Sequence, residues 1–250
     1  MGYESVQEMF SRMAAQFGPQ PAIERGGRLV TYANLEAESN RLANFLLQGG
    51  AGKGVMVGLL SDDPVWIVTG IIAVLKAGAV FVPLDPSFPE GRLRVMSEQV
   101  EPQWYVSETR HLEKLSQLRA ASSSSARVIC LDGSPAGEFD RLEVQTGYDQ
   151  FAETHAPGVP SDPEAPCSIY FTSGSTGRPK AILGRLKGID HFMRWEIEAV
   201  KAGPGTRVSQ LASPSFDGFL KDVFVPLCSG GTVCAPESRD VILDAWSLAD

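Results

Sequence analysis

The sequence predicts an α/β fold, with parallel sheets covered by helices on both faces. Two observations carry this. The runs 54–60 (GVMVGLL) and 79–84 (AVFVPL) are apolar throughout, and 127–131 (RVICL) is apolar after Arg127, rather than alternating, as strands buried on both faces are. Between them lie segments of helical period with recognisable start and stop residues. Strands that alternate with helices form crossover units, which are right-handed.

The elements follow in order. Val6 to Phe17 is amphipathic and reads as a short helix. Gly26-Gly27 marks a turn before a strand at 28–32, RLVTY. Leu35, Leu42, Ala43, Leu46 and Leu47 recur at helical spacing, and Gly49-Gly50 closes that helix. After the strand at 54–60, Asp62 or Asp63 can cap the next helix, with Pro64 in its first turn. Gly78 ends that helix before the strand at 79–84. A helix over 90–100, a strand at 103–107, a helix near 109–120 and the strand at 127–131 continue the alternation. It resumes with a strand at 167–172, a helix over 186–200, a strand at 207–213, a helix over 217–228 and a strand at 232–236. Residues 244–250 read as the opening turns of a further helix. Between these, 121–126 (ASSSSA) is a flexible loop by composition. The Pro-rich stretch 155–166 is the expected boundary between structural units. The expected divisions are a helix/strand segment over 1–53, a first α/β subdomain over 54–155, and a second, truncated one over 156–250.

The chain has 250 residues, a net charge of −8 and no basic run. That makes it a poor general nucleic-acid binder, and the balance suggests a soluble cytoplasmic protein. The opening segment carries acids and no apolar core, so it is not a signal peptide. Residues 64–84 hold a single charge, Lys76, and approach transmembrane length. The break at Lys76-Ala77-Gly78 instead favours a buried helix followed by a buried strand, and no membrane partner is expected. Cys130, Cys167, Cys228 and Cys234 form no CxxC pair and read as reduced small hydrophobes, with no zinc site.

The stretch 169–181, IYFTSGSTGRPKA, departs from this pattern. An apolar strand stops, and Thr172, Ser173, Gly174, Ser175, Thr176 and Gly177 follow, then Arg178 and Lys180. A loop after a buried parallel strand emerges at the carboxyl edge of the sheet, where open α/β sheets bind ligands. The glycines let the backbone approach a ligand closely. Hydroxyls, backbone N–H groups and the Lys180 ammonium together suit a polyphosphate. The spacing does not fit a Walker A loop. The alternative is a solvated Ser/Gly turn.

This stretch resembles the phosphate loop of the adenylate-forming superfamily, which includes acyl-CoA synthetases, luciferases and nonribosomal peptide synthetase adenylation domains. Three further segments agree in order: 29–46 resembles the first core motif of the peptide synthetase group, 75–93 the second, and 213–234 the fourth. The chain is therefore identified with the N-terminal portion of the large domain of an amino-acid adenylation domain. The resemblance implies ATP phosphates at Thr172, Ser173, Gly174, Ser175, Thr176, Gly177 and Lys180. It implies an amino-acid substrate against Phe216, Asp217, Gly218 and Lys221, with Asp217 holding the α-ammonium group. The alternative for Asp217 is a helix cap, and both roles are compatible. Lys221 lies four residues on, on the same helical face. A pocket lysine would suit a polar or acidic side chain; the alternative is a lysine that snorkels to solvent. Ala181 stands where the family has glycine, and a methyl there crowds the loop. Asp85 and Arg92 invite catalytic roles, but PLDPSFPE reads as a rigid turn with Pro83, Pro86 and Pro89 setting its path.

Members of the superfamily are longer. The motifs that serve adenine, ribose and Mg2+, and the catalytic lysine of the C-terminal domain, have no counterpart in 1–250, so no catalytic or metal-binding residue is expected here. On that reading the 250 residues alone do not turn over. Implied partners are a peptidyl carrier protein bearing phosphopantetheine and neighbouring synthetase domains, as in antibiotic biosynthesis. The alternatives are a non-catalytic nucleotide-binding or scaffold module, or an acyl- or aryl-acid ligase.

Overall fold

The computed structural model describes residues 3–133, 135, 137–173 and 178–237. In chain order the elements are α1 (Val6–Phe17), β1 (Pro21–Arg25), β2 (Arg28–Thr31), α2 (Tyr32–Gln48), β3 (Met56–Leu60), α3 (Pro64–Lys76), β4 (Val80–Leu84), α4 (Glu90–Val100) and β5 (Trp104–Ser107). A 3-10 turn (Thr109–His111) leads into α5 (Leu112–Leu118), β6 (Ala126–Cys130), β7 (Leu142–Val144), β8 (Pro166–Ser173) and β9 (Pro179–Arg185). The described chain closes with α6 (Leu186–Ala199), β10 (Arg207–Ser209), α7 (Gly218–Leu227) and β11 (Thr232–Ala235). The helix expected at 244–250 lies outside the described residues.

Two compact units are formed, one continuous (38–186) and one discontinuous (1–37 with 187–250). The divisions do not fall at the Pro-rich stretch 155–166. That stretch runs within the continuous unit, where β7 and β8 on its two sides belong to one sheet. Its entry is held by α2: Asn40 and Asn44 donate to the carbonyls of Thr154 and His155, and Phe45 packs edge-on against Tyr148 and Phe151.

The continuous unit contains a seven-stranded sheet in the order β7-β6-β5-β3-β4-β8-β9. All neighbours are parallel except β8 and β9, which form an antiparallel hairpin. Every residue of β4 and of β5 is buried, as the unbroken apolar runs require. The core gathers Leu60, Val82, Leu84, Leu93, Met96, Tyr105, Val128 and Phe171. The helix over 64–76 forms as expected. Asp63 is its N-cap, its carboxylate accepting from the Val65 amide at 2.8 Å, and Pro64 follows. Lys76 is buried at the end of α3, where it donates to Ser39 and Asn40 of α2 at 3.0 and 2.7 Å. These bonds satisfy a charge that would otherwise be costly to bury.

The discontinuous unit holds a four-stranded sheet in the order β10-β11-β1-β2. β1 is absent from the sequence reading. It is short, and its alternation is spoiled by Pro21 and by Glu24 and Arg25. It pairs in parallel with β11, far away in sequence, and antiparallel with β2. The sheets are mostly parallel, as expected, and turn antiparallel at two hairpins, β1–β2 and β8–β9. In both, the connection is too short for a crossover, which needs a dozen or more residues.

One glycine of β3 has a steric role. A Cβ at Gly58 would meet the Tyr105 ring at 2.5 Å. That ring is fully buried, and its hydroxyl pairs with Ser97 at 2.8 Å. Gly58→Ala is therefore expected to destabilise the chain by about 1–3 kcal/mol, seen as a lower urea midpoint. An unchanged midpoint would mean that the ring has room to move.

Candidate nucleotide- and substrate-binding residues

β8 runs parallel to β4, so its last residues, Thr172 and Ser173, lie at the carboxyl edge of the parallel part of the sheet. The chain returns as β9. The pairing register sets Thr172 opposite Lys180 and Ser173 opposite Pro179. Directly opposed residues in an antiparallel pair project to the same face. The hydroxyl and the ammonium thus flank the base of one hairpin tip, and both residues are exposed. Gly174, Ser175, Thr176 and Gly177 lie outside the described residues. The start of β9 is held from the side by α4, where Gln99 donates to the Pro179 carbonyl at 2.7 Å. Ala181 lies within β9 opposite Phe171 and is exposed, so its methyl sits on the strand rather than crowding the tip. The return strand is the main feature the sequence reading missed. PKAILGR is a short strand in which four consecutive residues are exposed, so no buried face marked it.

Phe216, Asp217, Gly218 and Lys221 belong to the discontinuous unit, around the first turn of α7. Asp217 occupies the N-cap position with φ −62° and ψ −26°, and its carboxylate makes no capping hydrogen bond. The cap interpretation therefore does not account for it. Phe216, Asp217 and Gly218 are all exposed, with Phe216 at 50%, so within this unit they stand at its surface. The turn that presents them is well tied. Asp222, one turn into α7, accepts from the amides of Leu211 and Ala212 at 3.1 Å each. Gln210 donates to the Ala212 carbonyl at 2.6 Å, and the Phe216 amide to the Ser213 carbonyl at 3.0 Å. Lys221 does not extend alone into solvent. Its ammonium lies 3.9 Å from a carboxylate oxygen of Glu196 on α6.

The second core segment is structural. Asp85 is fully buried and accepts from the amide and hydroxyl of Ser87 at 3.0 and 2.7 Å. The Arg92 guanidinium covers the Phe88 ring at 4.2 Å.

The structure also assembles a polar cluster that no motif indicated. The strand order reverses between β3 and β5, the kind of position where open sheets often bind ligands. Here the segments after β3 and β5 carry a polar cluster. Ser61 donates to the buried Glu108 carboxylate, and Arg110 donates to the same group at 2.5 Å. His111 Nε2 lies 3.0 Å from Asp62 Oδ2. Burial pushes the His111 pKa down, against the pull of Asp62 and Glu108 and with smaller opposition to protonation from Arg110 and Lys114.

With this geometry in hand, comparison with known proteins is direct. Residues 10–249 match the family described as AMP-binding enzyme, and the chain belongs to it. Surfactin synthase subunit 2 of Bacillus subtilis (strain 168) is 30% identical over 250 residues, covering 98% of this chain and 6% of that protein. The chain spans 2% to 6% of the length of the curated relatives it matches. Among solved structures, holo-AB3403, a four-domain nonribosomal peptide synthetase bound to AMP and glycine, aligns with a TM-score of 0.75 at 22% identity, over 97% of this chain and 16% of that one. The AMPPNP-bound form of the nonribosomal peptide synthetase FmoA3 aligns at 0.74 and 24% identity, over 93% and 22%. No helix among the described residues is long and apolar enough to cross a membrane.

The neutral, buried imidazole has a consequence for stability. A histidine whose folded pKa lies below its ordinary 6.5 contributes stability that is present above that value and is lost as the pH falls through it, because the unfolded chain takes up the proton first. Stability is expected to decline as the pH drops below about 6.5, and that decline should shrink in His111→Gln. Urea midpoints of parent and variant between neutral pH and pH 5 check it; parallel curves would refute it.

Proposed function

We propose that this chain is part of an adenylation domain that activates an amino acid with ATP. The amino-acid carboxylate attacks the α-phosphorus, pyrophosphate leaves, and an aminoacyl adenylate forms. That adenylate would pass to the phosphopantetheine thiol of a carrier protein, with neighbouring synthetase domains as further partners. The family match and the AMPPNP and AMP bound in the similar structures support the nucleotide. Thr172 and Lys180, opposed across the hairpin, would hold phosphate oxygens by one hydroxyl and one charge-assisted contact. Such contacts relieve charge as it builds on the phosphates. Among the described residues no group of three or more His, Cys, Asp or Glu could hold a metal, so no role for Mg2+ is assigned to them.

The observation that carries the amino-acid assignment is Asp217. Its carboxylate stands at the start of α7 without capping the helix. A carboxylate there pairs naturally with an α-ammonium group. A carboxylic-acid substrate without that group would gain nothing from it, which weighs against the acyl- or aryl-acid ligase reading.

Two outcomes follow for the full-length protein that carries this chain. Lys180→Ala and Thr172→Ala should each slow amino-acid-dependent pyrophosphate exchange, by about 1.5–3 kcal/mol where a charged contact is lost. Exchange at the parental rate in both variants would remove the phosphate role from this hairpin. Asp217→Ala should lower kcat/KM for the amino acid far more than for the matching acid lacking the amino group, because only the former loses a charge partner, a difference of several kcal/mol. A ratio of the two kcat/KM values that does not move would withdraw the amino-acid assignment.

A further inference from the structure

Resting on the adenylation reading, we infer that Glu196 is a further specificity-determining residue. Paired with Lys221, it tunes the side-chain subsite to a neutral substrate bearing both a hydrogen-bond acceptor and a donor, a carboxamide above all. Lys221 by itself would favour an acidic side chain. The structure does not leave it by itself. Glu196 lies on α6 with its side chain only 15% exposed, and its Oε1 stands 3.9 Å from the Lys221 ammonium. That distance is an ion pair rather than a direct hydrogen bond, so each group keeps hydrogen-bonding capacity for a third.

The charge arithmetic then changes. A carboxylate arriving at Lys221 meets the Glu196 carboxylate beside it, and like charges at such range oppose binding. A cationic side chain meets Lys221 and is opposed in the same way. A carboxamide meets no like charge. Its carbonyl can accept from Lys221, which only donates, while its N–H can donate to Glu196, which only accepts. Reach is consistent with this. Asp217 and Lys221 are separated by one helical turn, about 5–6 Å between their Cβ atoms, comparable to the span from the α-ammonium of a short amino acid to its side-chain terminus. Phe192 and Trp195, stacked with ring centroids 6.1 Å apart and exposed on α6 beside Glu196, offer apolar surface to the intervening methylenes.

The test uses the full-length protein that carries this chain, with kcat/KM from pyrophosphate exchange for glutamine against glutamate and asparagine against aspartate. In the parent, one of the amides should exceed its acid by on the order of tenfold or more. Glu196→Gln, which removes the opposing charge but keeps the shape, should move that ratio toward the acid by roughly tenfold. Glu196→Asp, which keeps the charge, should retain the amide preference. In a Lys221→Leu background, Glu196→Gln should no longer draw the ratio toward the acid. A parent that prefers acidic or purely apolar amino acids overturns the inference, as does a ratio indifferent to Glu196→Gln. If the parent shows no exchange with any amino acid, the adenylation reading beneath it falls instead.

Discussion

Every residue of β4, from Val80 to Leu84, is withdrawn from water, and the continuous unit is organised around that burial. A strand covered on both faces cannot be joined to a parallel neighbour by a tight turn, so the chain must leave, form a helix and come back. α3 and α4 are those returns, and β3 and β5 take their places as a result. The loops at the carboxyl edge of such a sheet are left to carry chemistry. The β8–β9 hairpin stands at that edge, and its pairing register sets Thr172 opposite Lys180.

Several polar groups inside this apolar frame find partners within it. Lys76 closes α3 against α2 through Ser39 and Asn40. Asp85 holds its turn through Ser87. Beside the point where strand order reverses between β3 and β5, Ser61 and Arg110 donate to Glu108, and His111 Nε2 stands 3.0 Å from Asp62 Oδ2. The phosphate-binding assignment therefore rests on the hairpin at β8 and not on the position where strand order reverses.

In the discontinuous unit the organising element is the start of α7. Asp222 fastens the preceding turn through two backbone amides, which leaves Asp217 projecting without a capping duty. One turn further on, Lys221 meets Glu196. A residue that looked like an isolated cation in the sequence is half of a pair.

The sequence by itself determined the local grammar. Asp63 before Pro64, Gly78 after α3, the helical recurrence of Leu35, Leu42 and Leu46, and the apolar run of β4 each act through neighbours a few residues away, and each element formed where those signals stood. The segment carrying Thr172 and Lys180 was legible in the same way, as a departure from core patterning after a strand; Asp217 was singled out only by the resemblance of 213–234 to a family motif. Only the tertiary structure decided which distant segments meet. β1 lies against β11 across some two hundred residues of chain, Ser61 against Glu108, and Glu196 against Lys221. No local periodicity encodes such meetings. They are set by the order in which strands enter a sheet and by which helix faces are left to pack, and that order is chosen by the burial of the whole core rather than by any one segment.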